Sequence, residues 1–220
     1  MTLVKQPRAV VFDMDGLILD TEALYREALR AVVAAEGHEM SDELYGHTIG
    51  LTSDATRTLL AAHFGPEFDF DRCWSASSAR FHEMAETQLC LKAGVVELLD
   101  ALDQVRLPRA IATSSSHRSV QRHLGRHGVL ARFDTVVAQG DYARGKPHPD
   151  PYLLAAERLG VSPGDCLVLE DSHNGVRAAA AAGMMTIMVP DLLVPTAEMH
   201  QLCVRIVRDL HEVRDLLRAV

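Results

Sequence analysis

The feature that most constrains the fold is a set of short runs of aliphatic or β-branched residues. They lie at residues 9–12, 110–112, 135–138, 166–169 and 186–189, with a weaker run at 204–207. A strand with one face in water alternates apolar and polar side chains, whereas an unbroken apolar run indicates a strand buried on both faces. From Gly94 onward these runs alternate with segments of helical spacing. We therefore predict an α/β protein with an open, three-layer parallel sheet of the Rossmann-like type.

The interval between the first two strands has a different pattern. Residues 21–91 contain no convincing strand, and helical spacing recurs at 22–36, 53–63 and 71–88. A connection of this length far exceeds the ~2–6 residues usual between a strand and a helix. We predict an all-helical insertion, the cap, at 21–91, and a core formed by 1–20 and 92–220.

Within the cap, two roles are expected to be structural. Asp20 stands where it could cap the first cap helix or brace the hinge, and Trp74, Phe81 and Met84 have the helical spacing of core residues. We expect none of the four to take part in chemistry.

Composition excludes several classes of function. A formal net charge of -8 argues against binding to a nucleic-acid backbone. No stretch approaches the ~20 apolar residues of a membrane span, and the N-terminus runs directly into the first strand without room for a signal peptide. The four cysteines form no CxxC pair, which favours reduced thiols. We expect a cytoplasmic monomer without nucleic-acid or membrane partners.

Acidic residues follow two of the predicted strands. Asp13 and Asp15 come after the first strand, and Glu170 and Asp171 after the fourth. Ligands of open parallel sheets bind beyond the carboxyl ends of the strands. Neighbouring carboxylates repel each other unless a cation or proton lies between them. Taken alone, the Asp13–Gly16 segment is also compatible with a solvated acidic turn.

Two further strand ends carry groups that suit a phosphate. Thr113 and Ser114 follow the second strand, where hydroxyl groups and amides either bind phosphate or only cap the next helix. Lys146 follows the third strand and is one of only three lysines, although a surface lysine is the plain alternative. Carboxylates, hydroxyl groups and an ammonium at one edge favour Mg²⁺ and a phosphorylated small molecule.

The order of these motifs resembles the haloacid dehalogenase superfamily. The runs FDMDGLILDTE, GKPHPDPYL and LEDSHNGVRAAAAAGM are similar to its β-phosphoglucomutase-like group, whose helical cap follows the first strand. The resemblance implies a Mg²⁺-dependent phosphomonoester hydrolase that works through an aspartyl-phosphate. Asp13 would be the nucleophile and Asp15 the general acid and base.

The resemblance also implies the ligands of the metal and the phosphate. Mg²⁺ would be held by Asp13, Asp171 and the backbone carbonyl of Asp15, with Glu170 supporting the metal or its waters. Thr113, the amide of Ser114, and Lys146 would neutralise the transferring phosphoryl oxygens.

The cap departs from the mutase in ways that favour hydrolysis. Tyr25 stands where the mutase is expected to have a histidine, Ser53 stands where it is expected to have an arginine, and the cap has no lysine. Without these cations the second phosphate of a sugar bisphosphate is poorly held, so water is the favoured acceptor. Phosphosugar mutase activity remains the alternative. Specificity is expected to come from Tyr25, His47, Thr52, Ser53 and Arg57.

Two other functions fit parts of the pattern. A dehalogenase of the same superfamily needs no Mg²⁺ and generally lacks the second aspartate of the first motif, so Asp15 and the Glu170–Asp171 pair argue against it. A receiver-like signalling domain also accepts phosphate on an aspartate, but it is much shorter and lacks a helical insertion of 70 residues.

Overall fold

The computed structural model of the protein describes residues 5–49 and 53–218, apart from the side chain of Ser53. The chain divides into two compact units, Met1–Leu19 with Leu91–Val220, and Asp20–Cys90. The second unit is the cap, and its ends lie one residue before the expected ones. None of the described helices is both long and apolar enough to cross a membrane.

The core contains a six-stranded parallel sheet with helices on both faces. In chain order the strands are β1 (Ala9–Phe12), β2 (Arg109–Ser116), β3 (Thr135–Gln139), β4 (Cys166–Glu170), β5 (Met185–Met188) and β6 (Arg205–Ile206). Their spatial order is β3-β2-β1-β4-β5-β6. β1 lies centrally, with Phe12 in register with Ile111 of β2 and Leu169 of β4. The predicted fold class is confirmed, and residues that follow these three strands meet at one edge.

The cap consists of four helices in its described part. They are α1 (Thr21–Ala35), α2 (Asp42–Thr48), α3 (Ser53–Phe64) and α4 (Phe70–Gln88). Sequence periodicity missed α2, because seven residues are too few to establish a helical repeat. Its signal is Ser41, whose hydroxyl accepts a hydrogen bond from the amide of Leu44 at 3.1 Å.

The capping alternative for Asp20 and the core position expected for Trp74 are wrong. Asp20 occupies the position before α1, but its side chain makes no capping hydrogen bond. Its ψ of 60° differs from the extended backbone that aims a side chain at the first amides, as at Ser41 with ψ of 161°. Phe81 and Met84 are buried as expected, whereas Trp74 is 43% exposed although it lies on the same face of α4, because it borders a cavity in the cap.

Six helices belong to the core. They are α5 (Val95–Val105), α6 (His117–Arg126), α7 (Asp150–Leu159), α8 (His173–Ala181), α9 (Ala197–Leu202) and α10 (Leu210–Arg218). Alanines of α7 and α8, Ala155, Ala156, Ala178 and Ala179, pack in one buried cluster with residues of β1, β2 and β4. These small side chains let the helix backbones lie close to the sheet.

Gly175 in α8 marks the closest approach of a helix to a functional carboxylate. A Cβ atom at this position would overlap the carboxyl group of Glu170. Glycine is therefore required at position 175 because there is no room for a side chain, and not because of its backbone dihedral angles. The position of α8 and that of Glu170 depend on each other.

Replacing Gly175 by alanine is expected to destabilise the protein. The extra methyl group must displace the buried carboxyl of Glu170, at a cost of about 1–3 kcal/mol. Gly125→Ala is the matched control, because a Cβ there meets only Gln121 at 3.6 Å, and alanine in a helix gains about 0.5–1 kcal/mol. Urea denaturation of both variants measures the difference, and equal stability would contradict this account of α8.

Candidate active site

A buried ion cluster lies at the carboxyl edge of the sheet. The ammonium of Lys146 donates to Oδ1 of Asp13 and, at 2.6 Å, to Oε1 of Glu170. The Lys146 side chain is only 7% exposed, so the surface-lysine alternative is wrong. The three residues come from the end of β1, the loop after β3 and the end of β4. One cation is thus shared by two buried carboxylates.

Both oxygens of Glu170 accept hydrogen bonds from the protein. Oε2 accepts from the amides of Asp171 and Ser172 and from the hydroxyl of Ser172, each at 3.0 Å. Oε1 accepts from Lys146 and, at 2.5 Å, from the hydroxyl of Tyr152. Because these donors already occupy both oxygens, the carboxylate of Glu170 is fixed in place. It holds Lys146 and the backbone of Asp171 and Ser172 in position. This arrangement fits the supporting role expected for it.

The three charges shift one another's protonation. Burial raises the pKa of Asp13 to about 8, against the opposing charge of Lys146. Burial also acts to raise the pKa of Glu170, but the charge and hydrogen bond of Lys146 outweigh it and lower that pKa. Burial acts to lower the pKa of Lys146, yet the two carboxylates raise it well above its ordinary value. Lys146 is therefore a permanent cation beside an excess of acidic groups.

The donor set around Asp13 fits a magnesium ion. Ligand oxygens of Asp13, Glu170 and Asp171 all lie within 4.8 Å of one another. Mg²⁺ prefers oxygen ligands and is usually held by one or two carboxylates, with waters and substrate phosphate completing the shell. The loop after Asp15 makes room for this set through Gly16, where a Cβ would overlap the carboxyl of Asp171.

Asp15 is held by hydroxyl groups of β2. The hydroxyl of Ser115 donates to Oδ2 of Asp15 at 2.7 Å, and that of Thr113 lies 3.4 Å from the same oxygen. Burial raises the pKa of Asp15, although the hydrogen bond from Ser115 opposes the shift. Thr113 is buried, whereas the Ser114 side chain is exposed. Of the hydroxyl groups in this segment, two converge on the carboxyl of Asp15.

Sequence reasoning missed Ser115, because the second strand was expected to end at residue 112. The strand continues to Ser116, after a shift of register against β3. Successive residues of a strand point to opposite faces, so Thr113 and Ser115 share a face that Ser114 does not. The run of four hydroxyl residues was the available signal, and strand alternation selects its first and third members.

Sequence reasoning also missed Tyr152. This residue of α7 is fully buried, its hydroxyl donates to Glu170, and its ring centre lies 4.9 Å from the ammonium of Lys146. It thus contacts both partners of the ion pair. The three residues PYL of the GKPHPDPYL run contained it, but a tyrosine there reads equally well as a core residue.

The expected specificity residues of the cap have diverse surroundings. Tyr25 stacks on Phe81 with ring centroids 4.0 Å apart, and His47 is exposed in the last turn of α2. Thr52 lies outside the described residues. Ser53 is the first residue of α3. Arg57 pairs with both carboxylate oxygens of Asp71, at 2.7 and 2.5 Å, in an ion pair that is exposed to solvent.

Carboxylates and hydroxyl groups beside a buried ammonium, at the carboxyl edge of a parallel sheet, are typical of one class of α/β hydrolases. A family model described as haloacid dehalogenase-like hydrolase matches residues 7–183. The chain belongs to this family.

Known proteins agree with this assignment along most of the chain. The fructose-1-phosphate phosphatase of Escherichia coli K12 is 34% identical over 184 residues, which cover 80% of this chain and 92% of that protein. A solved Thermotoga maritima structure, named provisionally as a β-phosphoglucomutase, is 31% identical with a TM-score of 0.81 and covers 96% of this chain and 99% of that one. The resemblance to the β-phosphoglucomutase-like group is thereby confirmed.

A third similar protein was solved with ligands. The haloacid dehalogenase family hydrolase of Deinococcus radiodurans R1, with bound phosphate and sodium, is 29% identical. Its TM-score is 0.82, and the match covers 98% of this chain and 97% of that one.

Tyr152→Phe is expected to weaken the site without removing any group that reacts. Loss of the hydroxyl leaves Oε1 of Glu170 to Lys146 alone, which draws the ammonium away from Asp13. A buried hydrogen bond to a charged group contributes about 1.5–3 kcal/mol. We expect that loss of stability together with a several-fold weaker inhibition by inorganic phosphate.

Tyr142→Phe provides the comparison for this variant. The hydroxyl of Tyr142 donates at 3.0 Å to the neutral carbonyl of Thr113, so its loss is expected to cost only about 0.5–1.5 kcal/mol. Thermal denaturation and phosphate inhibition are measured on both variants. Equal effects of the two substitutions would argue against a special role for Tyr152.

Proposed function

We propose that the protein hydrolyses the phosphomonoester of a small phosphorylated metabolite, through an aspartyl-phosphate on Asp13 and with Mg²⁺ as cofactor. The observation that carries the proposal is the pairing of Asp13 with the buried ammonium of Lys146, beside Asp15 and Asp171. The proteins similar to this chain support the substrate class, since one acts on fructose 1-phosphate by name and another was solved with phosphate bound.

The reaction has two displacements. A carboxylate oxygen of Asp13 attacks phosphorus and the bond to the alcohol oxygen breaks, while protonated Asp15 gives its proton to that oxygen. A water molecule then attacks the phosphorus of the aspartyl-phosphate, the bond between phosphorus and the Asp13 oxygen breaks, and Asp15 takes one proton of this water. Asp13 and inorganic phosphate are regenerated. Using one carboxyl first as acid and then as base keeps the proton balance closed over the cycle.

The remaining residues position the reacting groups. The hydrogen bond from the Ser115 hydroxyl holds the carboxyl group of Asp15 in one orientation. Lys146, the Ser114 amide and Thr113 neutralise the phosphoryl oxygens, which is the main source of rate in phosphoryl transfer. Asp13, Asp171 and the carbonyl of Asp15 would hold Mg²⁺, with Glu170 in support. When bound, the metal would supply positive charge that stabilises the negative charge on the phosphoryl oxygens.

Hydrolysis is favoured over phosphoryl return to a bound sugar. A mutase must hold a second phosphate at the distal end of its intermediate, which requires cations in the cap. Arg57 is paired with Asp71, and Arg26 and Arg30 lie 3.7 and 3.2 Å from Asp42. The neighbouring carboxylates reduce the positive charge that these arginines offer to a second phosphate, which favours water as the acceptor. The four cysteines are free thiols, which suits the cytoplasm, where we place the enzyme.

Asp13→Asn is expected to lower turnover of p-nitrophenyl phosphate by at least about 1,000-fold, because an amide cannot serve as the nucleophile. The protein is expected to remain folded, because Glu170 still pairs with the ammonium of Lys146 and asparagine keeps the shape of aspartate. Asp215→Asn, a change of the same kind at an exposed site on α10, is the control. Wild-type turnover by Asp13→Asn would refute the proposed mechanism.

Removal of the metal is expected to abolish the activity. Treatment with EDTA removes the cation that balances Asp13 and Asp171, and excess Mg²⁺ restores turnover. Mg²⁺ should also raise the melting temperature of the wild type, because a ligand that binds the folded state stabilises it. Asp171→Asn should lose most of this rise. Full activity in EDTA would show that the reaction needs no metal.

A further inference from the structure

Residues Thr113–Ser115, which we call the hydroxyl segment, lie where β2 departs from regular pairing with β3. Ala112 is in register with Val137 of β3, and the pairing resumes with Ser116 opposite Gln139. Between these two pairs β2 has three residues and β3 has one, so the backbone of β2 bulges. A bulge interrupts the ladder of hydrogen bonds that fixes a strand. The position of the hydroxyl segment therefore depends on contacts outside the ladder.

Asp141, in the loop after β3, contacts the chain just beyond this segment. Both of its carboxylate oxygens lie 3.0 Å from Nε2 of His117, the first residue of α6. A carboxylate only accepts hydrogen bonds, so Nε2 is the ring nitrogen that carries the proton. His117 stands two residues after Ser115, whose hydroxyl donates to Asp15. The contact thus fixes the backbone close to the group that holds the general acid.

Asp141 is itself anchored to β3 and to α7. Its Oδ2 accepts hydrogen bonds from the amide of Ala138 at 3.1 Å and from the guanidinium of Arg158 at 3.0 Å. The amide of Asp141 donates in turn to the carbonyl of Ala138 at 3.0 Å, which closes a tight turn. Arg158 also donates to the carbonyl of Val136 at 2.6 Å. His117 therefore contacts an acceptor that the sheet already holds in place.

The charge of Asp141 strengthens its contact with His117. The hydrogen bond from His117 is the largest influence on the pKa of Asp141, and with the amide of Ala138 and with Arg158 it lowers that pKa to about 2. The carboxylate is therefore ionised at neutral pH. Hydrogen bonds to an ionised group are stronger and more directional than those between neutral groups.

We propose that Asp141 is a positioning residue for the hydrolysis and that it acts through His117 on the hydroxyl segment. By fixing the end of the bulge, it keeps the hydroxyl of Ser115 on Oδ2 of Asp15 and so holds the general acid in its reactive orientation. The assignment gives Asp141 no contact with the substrate. The proposal rests on the proposed function, and all of these residues belong to the core unit.

The dependence of the rate on the leaving group tests this role. Phenyl phosphate and p-nitrophenyl phosphate have similar shapes, but phenolate is the poorer leaving group and depends more on a proton from Asp15. A misplaced general acid slows phenyl phosphate more, whereas a loss of folded protein slows both esters equally. We call the kcat/KM for p-nitrophenyl phosphate divided by that for phenyl phosphate the ester ratio. It is the measured quantity, because kcat/KM includes the step in which the alcohol departs.

His117→Phe breaks the contact from one side. It removes the ring N–H and keeps a flat ring, at a side chain that is 56% exposed. We expect the ester ratio to rise at least about threefold, because part of a general-acid contribution of roughly 100- to 10,000-fold is lost. Asp141→Ala breaks the contact from the other side and should raise the ratio by a similar factor. The double variant should raise it no further, because both changes remove the same interaction.

Arg158→Gln is the matched control. It removes the charged partner of Asp141 on α7 but leaves the contact with His117, so the ester ratio should keep its wild-type value. Thermal denaturation shows whether each variant is folded. If Asp141→Ala does not fold, His117→Phe still tests the proposal, because its ring is exposed.

Three results would overturn the proposal. The first is an unchanged ester ratio in folded His117→Phe. The second is an additive effect of His117→Phe and Asp141→Ala, which would mean that the two residues act separately. The third is an equal rise in Arg158→Gln, which would assign the effect to general loosening of the loop.

The wild type separates these failures from a failure of the proposed function. If it hydrolyses both esters and the variants give one of these three results, only the role of Asp141 is wrong. If it hydrolyses neither ester, the proposed function is wrong and the positioning role falls with it.

Discussion

The ammonium of Lys146 is the interaction on which the catalytic edge depends. It binds Asp13 and Glu170, which stand 133 and 24 residues away in sequence. Two carboxylates buried without a cation would be strongly destabilising, and removal of one partner of a buried ion pair leaves an uncompensated charge. Tyr152 and the amides of Asp171 and Ser172 complete the hydrogen bonding of Glu170. The ends of β1 and β4 are thus joined by charge as well as by the sheet.

The fold was predictable because its signal is local. The four central strands each contain a run of buried aliphatic residues, and this burial on both faces indicates a parallel sheet. The exact ends were not predictable where a polar segment takes strand conformation. Thr113 to Ser116 extend β2 through pairing with Gln139 of β3, which depends on a distant part of the chain. That extension is what presents Ser115 to Asp15.

The residues missed by sequence reasoning share a physical cause. Tyr152 and Trp74 are both aromatic residues on helices, and helical spacing assigns such residues to a core. Tyr152 is buried but turns its hydroxyl towards a carboxylate, whereas Trp74 stacks on Phe70 and leaves a face exposed. Periodicity reports which side of a helix a residue is on. It does not report what polar group or open space lies there.

The distribution of charge links the type of reaction to the type of substrate. The phosphate end of a phosphomonoester is suited to Lys146 and to the metal that we propose for Asp13 and Asp171. A cavity inside the cap is lined by residues of its four described helices, and Glu22 is the one residue with a formal charge in this described lining. A second phosphate placed there would lie beside a like charge, which is unfavourable. The carboxylate of Glu22 therefore argues against a cap that holds the second phosphate of a mutase intermediate, and it favours water as the acceptor that we propose.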